Sequence, residues 1–144
     1  DSHELGLTLF DIDDLGAYNE KFDRAAGDAC IRRVARVIGA SYRRGGDLVG
    51  RWEGGTFVVL TQGEAAERAA EYARVVAQRV RDLLMHHPTA GAGRYVTMSA
   101  GIASLVPPRG LPLEGLFKAC RAAVKRAKTN GKDGIATAEA ADFQ

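Results

Sequence analysis

Three acidic residues near the start of the chain have the types and spacing of a candidate metal site. Asp11, Asp13 and Asp14 come at the end of an apolar run, Leu5 to Ile12, that is typical of a buried β-strand. Hard cations such as Mg²⁺ are held by one or two carboxylates together with phosphate oxygens. Adjacent acids at a strand end also cap helices, and we expect Asp13 and Asp14 to supply N-cap oxygens to the short helix that follows. The residues alone leave both roles open.

A second candidate site lies at a glycine-rich turn. Two β-prone runs, Asp47 to Trp52 and Thr56 to Leu60, flank Glu53-Gly54-Gly55. A glycine pair between such runs predicts a β-hairpin, because glycine adopts positive φ at little steric cost. A tip without side chains lets a flat or phosphorylated ligand approach the backbone closely. The alternative is a turn with no further role.

The segment before this hairpin contains a third pattern, Arg44-Gly45-Gly46-Asp47. An arginine fork binds phosphate, or guanine O6 and N7, in bidentate fashion. An aspartate nearby accepts hydrogen bonds from the Watson–Crick edge of guanine. The motif is short, however, and a helix-ending Arg44 followed by a strand-starting Asp47 is the alternative.

The elements that position these residues alternate between strands and helices. We expect further helices through Tyr18 and Phe22, from Ala26-Gly27-Asp28 to Gly45-Gly46, from Glu64 to Met85 and from Glu114 to Lys128, and strands at Tyr95 to Leu105 and Gly134 to Ala138. The resulting order, β, α, α, β, β, α, β, α, β, indicates an α+β domain with helices packed on a central sheet.

Several other residues have types that are often functional. His86 and His87 have no second cluster of ligands, so we expect a solvated loop there rather than a metal site. We expect Trp52 to pack in the core or against the hairpin. Cys30 and Cys120 lie in helical patterns without metal-ligand spacing, which indicates reduced thiols in a cytoplasmic protein.

Composition restricts the class of protein. The chain has 144 residues, 46% of them hydrophobic and 26% charged, which is typical of one globular domain. Its net charge of +2 gives no electrostatic reason to expect contact with nucleic acid or a membrane. No apolar run approaches the roughly 18 residues of a membrane span. We expect residues 1–144 to form a single domain excised from a larger signalling protein.

The hairpin, Arg51-Trp52-Glu53-Gly54-Gly55-Thr56-Phe57, resembles the signature of the GGDEF family, the diguanylate cyclases. The family pattern is Arg, an aromatic residue, then Gly-Gly-Asp/Glu-Glu-Phe. This chain has Glu53 in place of the first Gly, Gly55 in place of the first acid and Thr56 in place of the second. The resemblance covers nearly all of the chain. It implies a central, mostly antiparallel five-stranded sheet flanked by helices, like the palm of nucleotidyl cyclases.

The resemblance assigns a metal site that this chain keeps only in part. In the family, the position of Asp11 holds Mg²⁺, the carbonyl at Ile12 assists, and the first signature acid completes the set; that acid is Gly55 here. A phosphate-contacting Lys that usually follows the first strand is replaced by Gly16. Metal-assisted phosphoryl transfer needs charge neutralised at the attacking and leaving oxygens. We therefore expect weak turnover of GTP to cyclic di-GMP at most, with Asp11, Glu53, Gly54, Gly55 and Thr56 as vestiges of the catalytic site.

The residues that read the nucleotide in the family are better retained. Asn19 and Asp28 match its guanine-reading positions, although a surface helix residue and a helix N-terminal charge are the alternatives. Lys128 and Lys132 match a C-terminal Ala-Lys-x-x-Gly-Arg motif that meets triphosphate oxygens. The resemblance thus implies that weak GTP binding, without a requirement for Mg²⁺, outlives catalysis.

The Arg44-x-x-Asp47 pattern has the register of the family's inhibitory product site, the I-site. Five residues, from Leu48 to Trp52, separate Asp47 from Glu53, as in the family. A helix arginine often completes that site; Arg79 is the candidate here and Arg74 the fallback. The ligand is typically an intercalated dimer of cyclic di-GMP.

The leading hypothesis is a non-catalytic signalling domain that binds cyclic di-GMP and relays it to a partner, a second copy or a neighbouring domain. It requires no cofactor, and Mg²⁺ enters only with residual GTP binding or cyclase activity. One alternative is a residual diguanylate cyclase. The other is a regulatory module that binds GTP, or only a partner protein.

Overall fold

The computed structural model describes residues 4–63, 65–87, 95–105 and 113–143. The elements are β1 (Leu5–Ile12), α1 (Leu15–Lys21), α2 (Arg24–Ser41), β2 (Leu48–Glu53), β3 (Thr56–Gln62), α3 (Ala66–Arg81), β4 (Met98–Leu105), α4 (Leu113–Thr129), β5 (Ile135–Thr137) and a final 3₁₀ turn (Ala140–Phe143). Strands and helices follow in the predicted order. None of the described helices is both long and apolar enough to cross a membrane.

The strands form one five-stranded sheet in the order β2-β3-β1-β4-β5. β1 lies at its centre, paired antiparallel with β3 and with β4, and β4 pairs parallel with β5. A continuous apolar run such as β1 suits this central position because both of its faces are buried. The predicted fold class, a mostly antiparallel sheet with helices packed on it, is confirmed.

Each face of the sheet carries its own core. Phe10 and Ile12 point toward the cluster that includes α2 and α3, whereas Leu7 and Leu9 point toward the cluster under α4. Side chains alternate across a strand, so Asp11 shares the α4 face with Leu7 and Leu9. The sheet therefore presents Asp11 toward α4, the helix that carries Lys128.

Close packing of α4 on β4 depends on Gly101. A Cβ at this position would lie 2.3 Å from the carbonyl oxygen of Cys120 and 2.7 Å from the amide nitrogen of Val124. The backbones of the strand and the helix are thus too close for a side chain between them. Burial raises the pKa of the Cys120 thiol to about 12 and that of the Cys30 thiol to about 11, so both stay protonated near neutral pH.

Helix boundaries differ from the sequence prediction. α2 begins at Arg24 because the Asp23 side chain accepts from the amide of Ala26 at 2.8 Å, and it ends at Ser41 rather than at Gly45-Gly46. Tyr42 is already extended there, with φ −117° and ψ 90°. α3 covers only Ala66–Arg81 of the predicted Glu64 to Met85; Glu64 lies outside the described residues.

The predicted capping role of the first acids is wrong. Asp14 occupies the N-cap position of α1 in a left-handed conformation, with φ 55°, and its side chain makes no capping hydrogen bond. Asp13 is buried and is engaged by other parts of the chain. The spacing that suits a helix cap thus serves tertiary contacts here.

The histidine segment also differs from the prediction. His87 is buried rather than solvated, with Nε2 2.9 Å from the carbonyl oxygen of Asp14. His86 forms an isolated antiparallel bridge with Tyr95, which had been predicted to begin a strand. β4 instead begins at Met98. The His87 contact holds the segment after α3 against the start of α1, and the His86 bridge joins that segment to Tyr95.

Candidate functional site

The hairpin has the predicted glycine tip. Glu53 pairs with Thr56 across a two-residue turn of Gly54 and Gly55, and Gly54 has φ 49°, a conformation that favours glycine. Arg51 Nε donates to the Gly54 carbonyl at 2.9 Å, which holds the tip closed. The tip therefore has a fixed backbone shape beside the end of β1.

Gly55, in the position of the first signature acid, is packed against the start of the first helix. Its carbonyl accepts from the Ile12 amide at 3.0 Å. A Cβ at position 55 would lie 2.9 Å from Leu15 Cδ2 and 3.2 Å from Ile12 Cβ. A side chain here would require both neighbours to move. The fold is thus adjusted to glycine at this position.

Asp11 is bound by two side chains. Thr56 Oγ1 donates to Asp11 Oδ1 at 3.1 Å, and Lys128 Nζ lies 3.2 Å from Asp11 Oδ2. The same ammonium is 3.3 Å from the Ile12 carbonyl oxygen. The structure therefore brings Asp11, Ile12, Thr56 and Lys128 together, with the lysine ammonium among the oxygen atoms.

This donor set does not fit a magnesium site. Of the positions that the family pattern assigns to the metal site, Asp11 keeps its carboxylate, Gly55 supplies none, and Thr56 contributes a neutral hydroxyl that already donates to Asp11. Among the described residues, no group of three or more His, Cys, Asp or Glu side chains is placed to hold a metal ion. Mg²⁺ bound here would have to displace Lys128 and would gain one carboxylate.

Asp13 has a structural role that the sequence did not indicate. The buried carboxylate accepts hydrogen bonds from Ser99 Oγ at 2.7 Å, Thr97 Oγ1 at 2.8 Å, the Asp133 amide at 2.9 Å and Lys128 Nζ at 3.0 Å. It thereby joins β1, the start of β4 and the end of α4. Its role is to position Lys128 beside Asp11.

Lys132 lies at the same edge but engages another acid. Its Nζ donates to Asp14 Oδ1 at 2.6 Å, and this hydrogen bond raises the pKa of Lys132 above its usual value. The pair is partly exposed, with side-chain exposures of 44% and 25%. Lys132 and Lys128 are thus both present near the end of β1, where the family motif predicts triphosphate contacts.

The guanine-reading candidates lie on neighbouring helices. Asn19, on α1, has a buried Oδ1 without a hydrogen-bond partner among the described residues. Its amide rests on Gly27, where a Cβ would fall 1.6 Å from that oxygen. Asp28 is exposed one position further along α2. Gly27 is a contributor that the sequence pattern did not single out.

Arg44 and Asp47 close a turn between α2 and β2. The Asp47 amide donates to the Arg44 carbonyl and the Arg44 amide donates to Asp47 Oδ2, both at 3.0 Å. Asp47 Oδ1 is buried with no hydrogen bond from a described residue, and Arg44 Nη2 lies 3.6 Å away. The side-chain exposures are 60% for Arg44 and 3% for Asp47.

A cleft of about 190 Å³ adjoins this turn and is lined by Ser41, Tyr42, Arg44, Asp47 and Tyr72. Arg79, from α3, donates to Ser41 Oγ at 2.9 Å, and its guanidinium lies 5.8 Å from the centre of the Tyr72 ring. Arg79 is therefore joined to the cleft by two of its lining residues. Arg74 is exposed on α3, and no described contact links it to the cleft.

Comparisons with known proteins identify the family. A family model described as "Diguanylate cyclase, GGDEF domain" matches residues 1–134. The chain belongs to the GGDEF family. The predicted resemblance to this family is therefore confirmed.

Curated relatives agree with the assignment. The uncharacterized protein Rv1354c of Mycobacterium tuberculosis is 35% identical over 92% of this chain, and the chain spans 20% of that protein's length. The diguanylate cyclase DgcM of Escherichia coli is 28% identical over 95% of the chain, which spans 32% of its length. The GGDEF domain is thus related to diguanylate cyclases, which use Mg²⁺ when they are active.

Solved structures show the same fold. The coiled coil and GGDEF domain of DgcB from Caulobacter crescentus, in complex with c-di-GMP, matches with a TM-score of 0.81 at 24% identity, covering 94% of this chain and 70% of that one. The active GGEEF domain of a Vibrio cholerae diguanylate cyclase matches with a TM-score of 0.78 at 21% identity, covering 95% and 84%.

Proposed function

We propose that this GGDEF domain is a cyclic di-GMP receptor that does not synthesise its ligand. The observation that carries the proposal is the Arg44–Asp47 turn beside its cleft. There, a buried carboxylate oxygen that accepts no hydrogen bond from the described residues adjoins a guanidinium that is 60% exposed. Unsatisfied buried polar atoms are uncommon in folded proteins and often have a functional reason.

The chemistry of the turn suits a guanine nucleotide. A carboxylate accepts from guanine N1–H and N2–H, and an arginine fork binds guanine O6 and N7 or a phosphate. The 3.6 Å separation of Arg44 Nη2 from Asp47 Oδ1 is too long for a hydrogen bond. A guanine edge would therefore replace the weak contact between Arg44 and Asp47 with two hydrogen bonds, from N1–H and N2–H to the Asp47 carboxylate. Arg44 would then be able to bind a phosphate or a second base.

The size of the cleft agrees with a ligand that lies mostly on the surface. A volume of about 190 Å³ accommodates one base rather than a whole dinucleotide. An intercalated dimer of cyclic di-GMP would insert one base there and extend its phosphates toward Arg79 on α3. Such a ligand can also cross-link two copies of the domain, which gives a route to a homodimer.

The loss of synthesis follows from the other end of the hairpin. Gly55 and Thr56 stand where the family has two acids, and Lys128 occupies the oxygen ligands of Asp11. Phosphoryl transfer requires metal ions that neutralise the charge around the reacting phosphate. A single carboxylate that is already paired with a lysine is not sufficient to hold them. The domain therefore acts in the cytoplasm as a sensor and passes ligand binding to a neighbouring domain or partner.

Weak GTP binding is a second candidate function, favoured by one observation. Asn19 Oδ1 on α1 is buried beside Gly27 without a hydrogen-bond partner in the described parts of the chain, and Asp28 follows Gly27 on α2. With Lys128 and Lys132 near the end of β1, these residues keep the parts of a nucleotide pocket. Calorimetric titration with GTP, with and without Mg²⁺, tests it; heats that stay at the dilution baseline in both would exclude it.

The receptor function is tested by calorimetric titration with cyclic di-GMP of the wild type, Arg44→Ala and the control Arg43→Ala. Arg43 is the adjacent exposed arginine, so Arg43→Ala removes the same charge from a neighbouring position. Because charged hydrogen bonds contribute most to such a site, Arg44→Ala should bind about tenfold or more weakly, with Arg43→Ala near wild type. Equal affinities for the two variants would contradict the proposal.

The role of Arg79, the other arginine of the proposed site, is tested in the same way. Arg79→Ala should weaken cyclic di-GMP binding, because Arg79 contacts Ser41, which lines the cleft. Arg74→Ala removes an equal charge from an exposed position on the same helix and should leave the affinity unchanged. The opposite order of effects would transfer the role to Arg74.

A further inference from the structure

A larger cleft lies on the opposite side of the hairpin, between the hairpin and α4. Its volume is about 380 Å³, within the range of small-molecule sites. Trp52 and Phe117 line one part, Arg121 and Lys125 another, and Asp11 and Glu53 the end near the tip. Among the residues that the structure describes, it shares none of its lining with the Arg44–Asp47 cleft.

The aromatic part of this cleft is unusually accessible. Trp52 lies at a break in the register between Arg51 and Glu53, where β2 bulges, and its side chain remains 55% exposed. Its ring centre is 4.6 Å from that of Phe117, at an angle of 44°. The prediction that Trp52 packs in the core is therefore wrong, although it does pack against Phe117. A half-exposed indole fixed from behind is a surface on which a planar ring can stack.

The basic part lies along one face of α4. Arg121 and Lys125 are four residues apart, so they are neighbours on the helix surface. Both are exposed, and neither forms an ion pair with a described residue. Arg121 Cζ is 5.9 Å from the centre of the Phe117 ring, which places its charge beside the aromatic surface.

We propose that this cleft binds a mononucleotide, with its base stacked on Trp52 and its phosphate held by Arg121 and Lys125. Stacking on an aromatic side chain tolerates any base, so the site accepts purine nucleotides without selecting guanine. Glu53 lines the same cleft, and its negative charge lowers the affinity for a phosphate, whereas the charge of Asp11 in that cleft is balanced by Lys128. The proposal is independent of cyclic di-GMP binding at Arg44 and Asp47.

The chain contains one tryptophan, so its fluorescence reports directly on this cleft. Titration of the whole chain with GMP or AMP should quench Trp52 emission saturably and with similar affinities. Ribose 5-phosphate and guanosine each lack one of the two recognised parts and should bind much more weakly. A response to ribose 5-phosphate equal to that for GMP would overturn the stacking role.

Variants separate this site from the others. Arg121→Ala and Lys125→Ala should each weaken GMP binding about tenfold, because each removes a charged contact to phosphate. Lys118→Ala, an exposed lysine of α4 that does not line the cleft, is the matched control and should bind like wild type. Glu53→Gln should bind GMP more tightly, an effect that a purely structural role would not produce.

Two results would overturn the proposal. One is the absence of saturable quenching by GMP in the wild type. The other is a loss of GMP binding in Asn19→Ala with none in Arg121→Ala, which would place the nucleotide in the vestigial guanine pocket instead. Neither result depends on the outcome for cyclic di-GMP at the Arg44–Asp47 turn.

Discussion

Lys128 Nζ lies 3.2 Å from Asp11 Oδ2 and only 3.0 Å from Asp13 Oδ1. One ammonium group thus balances two carboxylates at the end of β1. In a GGDEF cyclase, the carboxylate at the position of Asp11 shares its metal with a second acid from the hairpin, and that acid is Gly55 here. Lys128, rather than a second acid, is therefore the charged neighbour of Asp11 at this end of β1.

The first prediction concerns turnover. Incubation of the domain with GTP and Mg²⁺ should yield no cyclic di-GMP, because Asp11 is engaged by Lys128 and Gly55 supplies no ligand. Chromatographic separation of the nucleotides after prolonged incubation measures this directly. An active GGDEF cyclase run in parallel is the control. Accumulation of product by the purified domain would restore the cyclase alternative.

The second prediction concerns the buried carboxylate of Asp13. Asp13→Asn leaves the shape unchanged but removes the charge that accepts from four donors, so the free energy of unfolding should fall by about 2 kcal/mol. Asp14→Asn is the matched control, since Asp14 is partly exposed and asparagine tolerates its left-handed backbone. Its effect should stay below about 1 kcal/mol. Urea denaturation of both variants measures these changes, and equal losses of unfolding free energy would refute the central role of Asp13.

The sequence predicted the fold well because the decisive signals are local. An unbroken apolar run marked β1 with its observed bounds, and the glycine tip placed the hairpin. The role of Asp13 was not predictable in this way. Its partners Thr97 and Ser99 are 84 and 86 positions away, and only the pairing of β1 with β4 brings them together.

The third prediction concerns the contact between β4 and α4. Gly101→Ala would place a methyl group 2.3 Å from the Cys120 carbonyl, and the free energy of unfolding should fall by about 3 kcal/mol. Gly39→Ala is the comparison, because nothing lies within 4 Å of a Cβ at this exposed position of α2. That change should instead stabilise the protein by about 0.5–1 kcal/mol. A neutral Gly101→Ala variant would show that the helix can move away from the sheet.

The fourth prediction concerns pH. Hydrogen bonds from the Arg126 guanidinium, and then from the Glu139 amide, lower the pKa of Asp142 below its usual 3.8. Because the folded-state pKa is the lower one, the stabilisation by Asp142 is complete above the unfolded-state value and is lost as pH falls through the folded-state value.

Asp142→Asn tests this linkage. The difference in unfolding free energy between wild type and variant should be constant above about pH 5 and should shrink as the pH falls below 3.8. Urea denaturation across this range measures it. A difference that does not change with pH would mean that the carboxylate charge contributes nothing to the attachment of the C-terminal turn.

The candidate site was predictable where the family pattern is contiguous, and less so where separate elements meet. Arg44 and Asp47 share one turn, and their register relative to the hairpin in the family pattern indicated a pair. Arg79 was already the preferred candidate, but its contacts with Ser41 and Tyr72, which come from two different helices, could not be predicted from spacing. The exposure of Trp52 could not be predicted, because it results from a β-bulge for which the sequence has no characteristic residue.

Recognition of cyclic di-GMP by Asp47 is the central claim of the proposed function. The most direct measurement is the dissociation constant of cyclic di-GMP for the wild type and for Asp47→Asn, determined by calorimetry on the same day and in the same buffer. Asparagine keeps the size of the side chain but cannot accept both guanine N–H groups. We expect the wild type to bind cyclic di-GMP with micromolar or tighter affinity and Asp47→Asn to bind it at least about tenfold more weakly. No binding by the wild type, or equal binding by both proteins, would contradict it.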